Sequence, residues 1–233
     1  MKTRLNKYLA ERGICSRRQA DVLIADGAVL VNGEVATLGL PVDETDEIRV
    51  HGDMINRMRP KKVYLAFNKP VGIMTSVDPH APDTIRTFLN LPNHIFSVGR
   101  LDVASSGLLI LTNDGDLSEH ITHPRYDHEK EYLVSVDRPV LREDLREMAD
   151  GMMILGSMTK SAQVKKIGDQ RFTIVLTEGR NRQIRRMCEA LGYGITSLKR
   201  IRVMNIELGD LPIGETRPLT SKELHVLRQS LSL

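Results

Sequence analysis

The feature that most constrains the fold of this chain is a series of strand-like segments, which helices interrupt at irregular intervals. Runs rich in β-branched and aromatic residues predict strands over 63–67, 96–98, 108–111, 130–136, 162–166, 172–176 and 195–206. Apolar periodicity and helix-stop residues predict helices over 84–90, 117–122, 140–149 and 181–192. Because the two kinds of segment do not alternate, we expect an α+β fold with a mixed, mainly antiparallel sheet, and not a doubly wound one.

The N-terminal segment has a different pattern, in which two short helices precede a hairpin. Ser16, with Gln19 three residues later, forms a capping box that starts the second helix, and Gly27 ends it. Asn32 and Gly33 form the dipeptide typical of a type I′ hairpin turn. Apolar residues at helical spacing predict the first helix: Leu5, Tyr8 and Leu9.

The length of 233 residues allows one small and one medium domain. The helical and hairpin pattern occupies residues 1–58, and the hydrophilic residues 59–62 separate it from the first predicted strand of the larger part. We therefore expect an N-terminal domain over 1–58, a linker over 59–62 and a larger domain over 63–233.

The charge of the chain is unevenly distributed, although its net value is only +3. The segment 180–202 contains seven cationic side chains and one acid, and the first eighteen residues contain six cations and one acid. Such clusters on a nearly neutral chain suggest a polyanionic partner, here nucleic acid. A solvated basic surface is the alternative for either cluster taken alone.

Several classes of protein are disfavoured by what the sequence lacks. Its two cysteines, Cys15 and Cys188, are far apart, which indicates reduced thiols and neither a disulfide framework nor a zinc site. No phosphate-binding GxxxxGK loop and no GxGxxG motif occur, and His120 and His123 lack a further ligand at metal-binding spacing. The basic residues at the N-terminus are not followed by the apolar segment of a signal peptide, and no apolar run is long enough for a membrane helix. We expect a cytoplasmic protein with no metal.

Four short motifs are the candidates for chemistry. They are Lys69-Pro70-Val71-Gly72, Gly99-Arg100-Leu101-Asp102, Glu129 to Val134, and Glu178 to Met187. Taken alone, each has an ordinary explanation. An aspartate such as Asp102 commonly accepts hydrogen bonds within its own turn, Tyr132 shares a strand face with core valines, and an arginine-rich helix is commonly a solvated amphipathic one.

Together the four motifs resemble the pseudouridine synthases of the RsuA type, and their details are most similar to the large-subunit pseudouridine synthase F subgroup. The N-terminal pattern, with Arg17 and Arg18 at the start of its second helix, resembles the RNA-binding domain of ribosomal protein S4. This resemblance implies an S4-like RNA-binding domain followed by a catalytic domain. Ser105 departs from the family pattern, which often has threonine there, but it keeps the hydroxyl group.

The resemblance also implies a reaction and the residues that perform it. A uridine in RNA is detached at its N-glycosidic bond, rotated and rejoined through carbon, without ATP, metal or redox cofactor. Asp102 matches the catalytic aspartate, Arg185 the basic residue that pairs with it, and Tyr132 the tyrosine that stacks on the target base. The remaining matches concern substrate binding: Ile184 beneath the site, Arg100 in the space left by the flipped uridine, and Arg182, Arg186, Arg17 and Arg18 on RNA phosphates.

The resemblance favours large-subunit ribosomal RNA as the target. Transfer RNA or small-subunit ribosomal RNA is the first alternative, and a non-catalytic ribosome-associated RNA-binding protein is the second. We expect the protein to be a monomer that binds RNA and neither DNA nor membranes.

Overall fold

The computed structural model describes residues 2–55, 58–76, 78, 81–92 and 94–232, in two compact units. The first unit comprises Met1–Val63, Leu91–Phe96 and Asn113–Gly115; the second comprises Tyr64–Asn90, Ser97–Thr112 and Asp116–Leu233. The predicted boundaries at residues 58 and 62 stay a prediction. No helix in the described part of the chain is long and apolar enough to cross a membrane.

The first unit contains two helices and short strands, close to the predicted arrangement. Its elements are β1 (Thr3–Arg4), α1 (Leu5–Glu11), α2 (Arg17–Ala25), β2 (Val29–Val31), β3 (Glu34–Val35), β4 (Pro41–Val42), β5 (Ile48–Val50) and β6 (Asp53–Met54). Ser16 caps α2 with both hydrogen bonds of a capping box, as predicted. Asn32 and Gly33 have φ of 53° and 86°, as a type I′ turn between β2 and β3 requires.

One arginine of the predicted N-terminal basic cluster belongs to the core of this unit. The side chain of Arg12 is fully buried, donates to Glu44 Oε1 at 2.6 Å and lies 3.2 Å above the centroid of the Tyr8 ring. Glu44 also contacts Arg59, at 3.6 Å, and Arg59 contacts Glu11 at 3.3 Å. Arg12 therefore stabilises the fold and is unavailable for RNA, which corrects its place in the predicted surface cluster.

The second unit is built on a large sheet, whose elements follow in chain order. They are β7 (Tyr64–Lys69), α3 (Ile85–Leu89), β8 (Phe96–Val98), β9 (Ser106–Thr112), α4 (Gly115–Thr122), a 3₁₀ helix (Pro124–Tyr126), β10 (Lys130–Val136), α5 (Arg142–Asp150), β11 (Met153–Ile154), β12 (Ser157–Met158), β13 (Gln163–Gly168), β14 (Arg171–Leu176), α6 (Gln183–Ala190), β15 (Ile195–Val203), β16 (Ile206–Glu207), β17 (Thr216–Pro218) and α7 (Ser221–Ser230).

The sheet is mixed and mainly antiparallel, which confirms the predicted fold class. Within the described residues its strand order is β13-β14-β10-β15-β9-β7-β17, with β16 paired to β15 and β8 to β9. The pairs β7–β9, β10–β14 and β10–β15 are antiparallel, whereas β9 and β15 run parallel. Apolar residues of β10, β14, α5 and α6 form one core, and those of β7, β9, α4 and α7 form another.

The parallel pairing of β9 with β15 depends on Gly107, which lies opposite Arg200. A Cβ atom at residue 107 would stand 2.2 Å from the carbonyl oxygen of Arg200, and the residue has a φ of 103°. Any other residue would force the two backbones apart. The glycine thus fixes the strand that follows the Gly99-Arg100-Leu101-Asp102 motif against β15.

Two predicted elements differ from the structure in their bounds, and one helix was not predicted. The segment 195–206 is two strands, β15 and β16, because Met204 and Asn205 form a turn between them. Helix α6 begins at Gln183 and not at Asn181, and Arg182 precedes it with a φ of 52°. The sequence analysis missed α7, although Thr220 and Glu223 form a capping box there.

Candidate active site

A cavity of about 970 Å³ opens in the second unit, and the four motifs line it. Its walls come from the loop after β7, the loop between β8 and β9, the start of β10, the end of β14, the start of α6 and β15. Elements that are distant along the chain therefore meet at one site. The volume is in the range of pockets that hold a nucleotide-sized ligand.

Asp102 lies on the loop between β8 and β9, and neighbouring groups hold this loop on both sides. Thr75 donates to Leu101 O at 2.8 Å and accepts from Leu101 N at 3.2 Å. On the other side of Asp102, Gly72 N donates to Val103 O at 2.9 Å. Because the loop is fixed by hydrogen bonds, the Asp102 carboxylate keeps a defined position at the cavity.

Arg185 is the cation beside Asp102, with 3.7 Å between its Nε and Asp102 Oδ2. Its Nη2 donates to Ala104 O at 2.8 Å and to Ser105 Oγ at 3.1 Å. Burial and then repulsion from Arg182 lower the pKa of Arg185, while Asp102 acts in the opposite sense. Ser105 lacks only the methyl group of the threonine expected there, and its hydroxyl still orients the Arg185 guanidinium.

Helix α6 carries Arg185 half-buried at the edge of its apolar face, one turn before Cys188. Ile184, Met187 and Cys188 are buried in the core beneath the sheet, and Ile184 also lines the cavity. Before the helix, Glu178 accepts hydrogen bonds from Gln183 at 2.7 Å and Arg180 at 3.0 Å. These hydrogen bonds fix the turn that leads into α6, and therefore the orientation of the first turn of the helix, which carries Arg185.

Tyr132 combines the two roles that the sequence left open. It packs against the core residues of β10 and β14, and its side chain also lines the cavity. In the β10–β15 pairing, Tyr132 lies opposite Arg200. An aromatic ring held in this way offers a rigid surface to a planar base.

Two more of the predicted arginines, Arg182 and Arg186, lie at the start of α6. Arg182 is exposed at the cavity, at the N-cap position of the helix. Arg186 donates to Asn181 O at 3.1 Å and to Asn181 Oδ1 at 3.2 Å, so it closes its own loop. Arg186 is therefore held within the protein, whereas Arg182 is exposed.

Arg100 is exposed at the cavity beside Asp102. Arg17 and Arg18 are exposed at the start of α2 in the first unit, where no described carboxylate pairs with them. The structure therefore brings together the predicted residues of the second unit, from Arg100 to Arg185, in one cavity. Arg17 and Arg18 belong to a separate surface.

Three cations that sequence analysis did not select lie at or beside the cavity: Lys69, Lys130 and Arg200. Lys69 is completely buried and donates to Pro70 O at 2.7 Å and Ile73 O at 2.6 Å. Burial lowers the pKa of Lys69 to about 8, and Asp102 acts against this effect. Lys69 and Lys130 lie inside two of the four motifs, so their position in the sequence could have identified them as site residues. Arg200 lies in none of the four motifs.

No group of three or more histidine, cysteine, aspartate or glutamate side chains is arranged to hold a metal ion within the described ranges. Two described carboxylates line the cavity. Glu178 is held by Arg180 and Gln183, which leaves Asp102, beside the Arg185 guanidinium, with an aromatic ring and further cations around it. A carboxylate is ionised at neutral pH and can act as a nucleophile or a base. The surrounding cations favour a polyanionic substrate.

Comparison with known families agrees with this geometry. Residues 63–190 match the RNA pseudouridylate synthase family, and residues 3–48 match the S4 domain. The chain belongs to the RNA pseudouridylate synthase family, and it carries an S4 domain. This confirms the resemblance inferred from the four motifs.

Individual relatives are similar over nearly the whole chain. The dual-specificity RNA pseudouridine synthase RluF of Salmonella typhi is 49% identical over 95% of this chain and 77% of that protein. Ribosomal large subunit pseudouridine synthase B of Bacillus subtilis is 39% identical over 97% of this chain and 95% of that protein. A crystal structure of a pseudouridylate synthase superposes with a TM-score of 0.71 at 34% identity, over 96% of this chain and 99% of the other. The predicted subgroup agrees with the first of these.

Proposed function

We propose that the chain converts a uridine of large-subunit ribosomal RNA into pseudouridine and that Asp102 is the nucleophile. The observation that carries the proposal is the Asp102–Arg185 pair, at 3.7 Å, inside a cation-lined cavity of the segment that matches the synthase family. The Bacillus subtilis relative is named for the ribosomal large subunit, which supports the choice of RNA.

The reaction rearranges one nucleotide. The bond between C1′ and N1 breaks, a bond between C1′ and C5 forms, the proton on C5 leaves and a proton is gained at N1. Atoms and electrons balance without a second substrate. Asp102 attacks the nucleotide, and the bond that it forms breaks again before the product leaves, which regenerates the carboxylate. The Arg185 guanidinium orients this carboxylate for the attack.

The target base must leave its stack to reach Asp102, because the carboxylate is part of a cavity and not of a flat surface. In this proposal Tyr132 stacks on the extruded uracil and Ile184 packs beneath it. Arg100, exposed beside Asp102, occupies the space that the base leaves in the RNA. Flipping costs a few kcal/mol, and a side chain that refills the gap reduces this cost.

Phosphate contacts supply most of the affinity for RNA. Arg182 at the cavity and Arg17 and Arg18 on α2 are exposed, with no carboxylate partner among the described residues. Such cations release bound counterions when they contact phosphates, which gives salt-dependent binding. Arg186 contributes less, since Asn181 already accepts its hydrogen bonds.

The test of the chemistry is Asp102→Asn with RNA labelled with tritium at C5 of uridine. Tritium release reports loss of the C5 proton, and we expect the variant to lose it by a factor of about 10⁴ or more. Affinity for the same RNA should stay within about threefold, because the phosphate contacts remain. Asp150→Asn, an exposed carboxylate of α5, is the matched control and should keep full activity. Substantial release by Asp102→Asn would refute the assignment.

The test of the target is chemical mapping of pseudouridine in cellular RNA with and without the protein. We expect a site in large-subunit ribosomal RNA to disappear when the protein is absent. A site found only in transfer RNA or small-subunit ribosomal RNA would overturn the choice of RNA but not the chemistry. Light scattering of the purified protein, with and without RNA, tests the separate expectation that the protein is a monomer.

A further inference from the structure

Two cations of the cavity, Lys130 and Arg200, lie on one face of the sheet beneath Tyr132. Lys130 and Tyr132 are two residues apart on β10, so their side chains project from the same face. Arg200 on β15 lies directly opposite Tyr132, and opposed residues of an antiparallel pair also share a face. All three line the cavity, which places a pair of positive charges on its floor.

These two cations lack the carboxylate partners that buried charges normally have. Arg200 is only 4% exposed; its Nε donates to Leu108 O at 2.7 Å and its Nη1 to Arg100 O at 3.4 Å. Its Nη2 is buried and has no acceptor within the described part of the chain. Lys130 Nζ donates to His128 O at 3.0 Å. All the acceptors are neutral carbonyl groups.

Arg202, on the same strand as Arg200, does have carboxylate partners. Arg202 pairs with Glu131 at 2.9 Å and with Glu129 at 3.0 Å. A register shift separates the two arginines, since Glu131 lies opposite Arg202 whereas Tyr132 lies opposite Arg200. Arg202 therefore joins the glutamates on one face, and Arg200 is left on the cavity face without them.

Two like charges close together, one buried and one half-buried, raise the free energy of the empty protein. Burial lowers the pKa of Lys130 and repulsion from Arg200 lowers it further, while Asp127, which pairs with Lys160, acts in the opposite sense. A site of this kind becomes favourable when negative charge arrives in it. Because Asp102 is already paired with Arg185, the missing negative charge is expected to come from the substrate.

We propose that Lys130 and Arg200 stabilise the negative charge that develops on the uracil ring when its bond to the ribose breaks. This rests on the proposed function. When the C1′–N1 bond breaks, its electron pair stays on N1, and the charge spreads to the ring oxygens O2 and O4. Preorganised cations stabilise such charge without having to reorganise. The same cations hold the detached ring while it turns to present C5, and they release it once the new bond has formed and the ring is neutral.

The experiment measures single-turnover rates and RNA affinity separately, on an unmodified large-subunit ribosomal RNA transcript. We expect Lys130→Met to lower the rate at saturating RNA about 100-fold, while the Kd changes less than about threefold. Lys130→Arg should recover most of the rate, because it restores the charge. Lys165→Met removes a charge from an exposed position of β13 and should match the unaltered protein.

A second substrate distinguishes charge stabilisation from a structural role. In a transcript with 5-fluorouridine, the fluorine withdraws electrons and makes the departing ring a better anion. Because C5 then carries no hydrogen, cleavage of the C1′–N1 bond is followed by chromatography of the digested RNA. Lys130→Met should lower the rate of this cleavage less than it lowers the rate on uridine. A variant that was merely misfolded would lose both substrates equally. Arg200→Lys, which keeps a cation at the second position, should retain most of the rate on both substrates.

Three results would overturn the inference. They are a normal rate in Lys130→Met, a loss that is confined to Kd, and equal losses on uridine and 5-fluorouridine. A loss confined to Kd would assign the two cations to an RNA phosphate. Failure of the proposed function is separable from these results, because the unaltered protein would then release no tritium from the uridine transcript.

Discussion

The two units differ in what surrounds their arginines. At the start of α2 in the first unit, Arg17 and Arg18 are exposed, and no described carboxylate pairs with them. In the cavity of the second unit, Arg185 and Arg200 are held by hydrogen bonds to backbone carbonyls or a hydroxyl. The first arrangement suits flexible, salt-sensitive contact with a phosphate chain, and the second suits a fixed charge at a reacting group.

The comparison shows that arginine counts alone do not locate a nucleic-acid surface. Within the segment 180–202, Arg180 is held by Glu178 and Ser157, and Arg202 by two glutamates. In the N-terminal cluster, Arg12 is buried against Tyr8. Each of these residues adds to the formal charge of its segment, yet each is engaged within the protein. The cations available to RNA are therefore fewer than the sequence suggests.

The largest effect that sharpens the comparison should come from Arg185. Arg185→Ala should lower the single-turnover rate about 100- to 1000-fold, because Asp102 loses the charge beside it. Arg182→Ala, at the same cavity but exposed, should change the rate less than about fivefold and mainly weaken RNA binding. The measurements are tritium release at saturating RNA and Kd as a function of salt. Equal effects of the two variants on both quantities would break the distinction between fixed and free arginines.

The next effect is on the stability of the first unit. Arg12→Met should destabilise this unit by about 2 kcal/mol, since a buried guanidinium loses its stacking and its hydrogen bond to Tyr8 O. Amide hydrogen exchange in α1 and α2 reports this loss directly. Arg18→Met is the control, because Arg18 is exposed on α2, and it should leave exchange unchanged. If both variants exchanged alike, Arg12 would be a surface cation after all.

A smaller effect concerns an arginine that the second unit pairs internally. Arg217 holds Glu223 by two hydrogen bonds, of 2.7 and 2.9 Å, and with Thr220 it lowers the pKa of Glu223 to about 2. The pKa of this carboxyl is lower in the folded chain than in the unfolded chain. The pair therefore stabilises the fold above pH 4.5, and its contribution is lost as the pH falls towards 2.

The measurement for this pair is unfolding of the unaltered chain and of Glu223→Gln between pH 2 and pH 7. The difference in unfolding free energy should be constant above about pH 5 and shrink as the pH approaches 2. Glu215→Gln, at an exposed carboxylate, should show no such trend. A difference that grew at low pH would contradict the sign derived from the pKa shift.

The smallest effect, and the clearest test of the exposed arginines, is on the salt dependence of binding. Replacing Arg17 and Arg18 together by alanine should lower the slope of log affinity against log salt by about 0.7 to 0.9 for each lost phosphate contact. The catalytic rate at saturating RNA should be unchanged. Arg49→Ala is the control, because Glu47 already pairs with Arg49 at 2.8 Å. An unchanged slope would mean that α2 presents only a solvated surface.

Local patterns predicted much of the fold. The capping box at Ser16, the turn at Asn32-Gly33 and the predicted strand 130–136 all stand where the sequence placed them, because each depends on neighbours along the chain. The loop residue Asp102 and its partner Arg185 were inferred from motifs, and the structure places them together. Their catalytic roles remain proposals.

The sequence by itself determined the α+β class, the family and the residue types of the cavity, because periodicity and motif spacing are local properties. Tertiary structure alone decided which cations are free. Arg200 and Arg202 are two residues apart, so regular alternation along a strand would place them on one face. The register shift in the β10–β15 pairing sends Arg202 to two glutamates and Arg200 to the cavity floor. That outcome depends on how one strand pairs with another, which no local pattern in the sequence specifies.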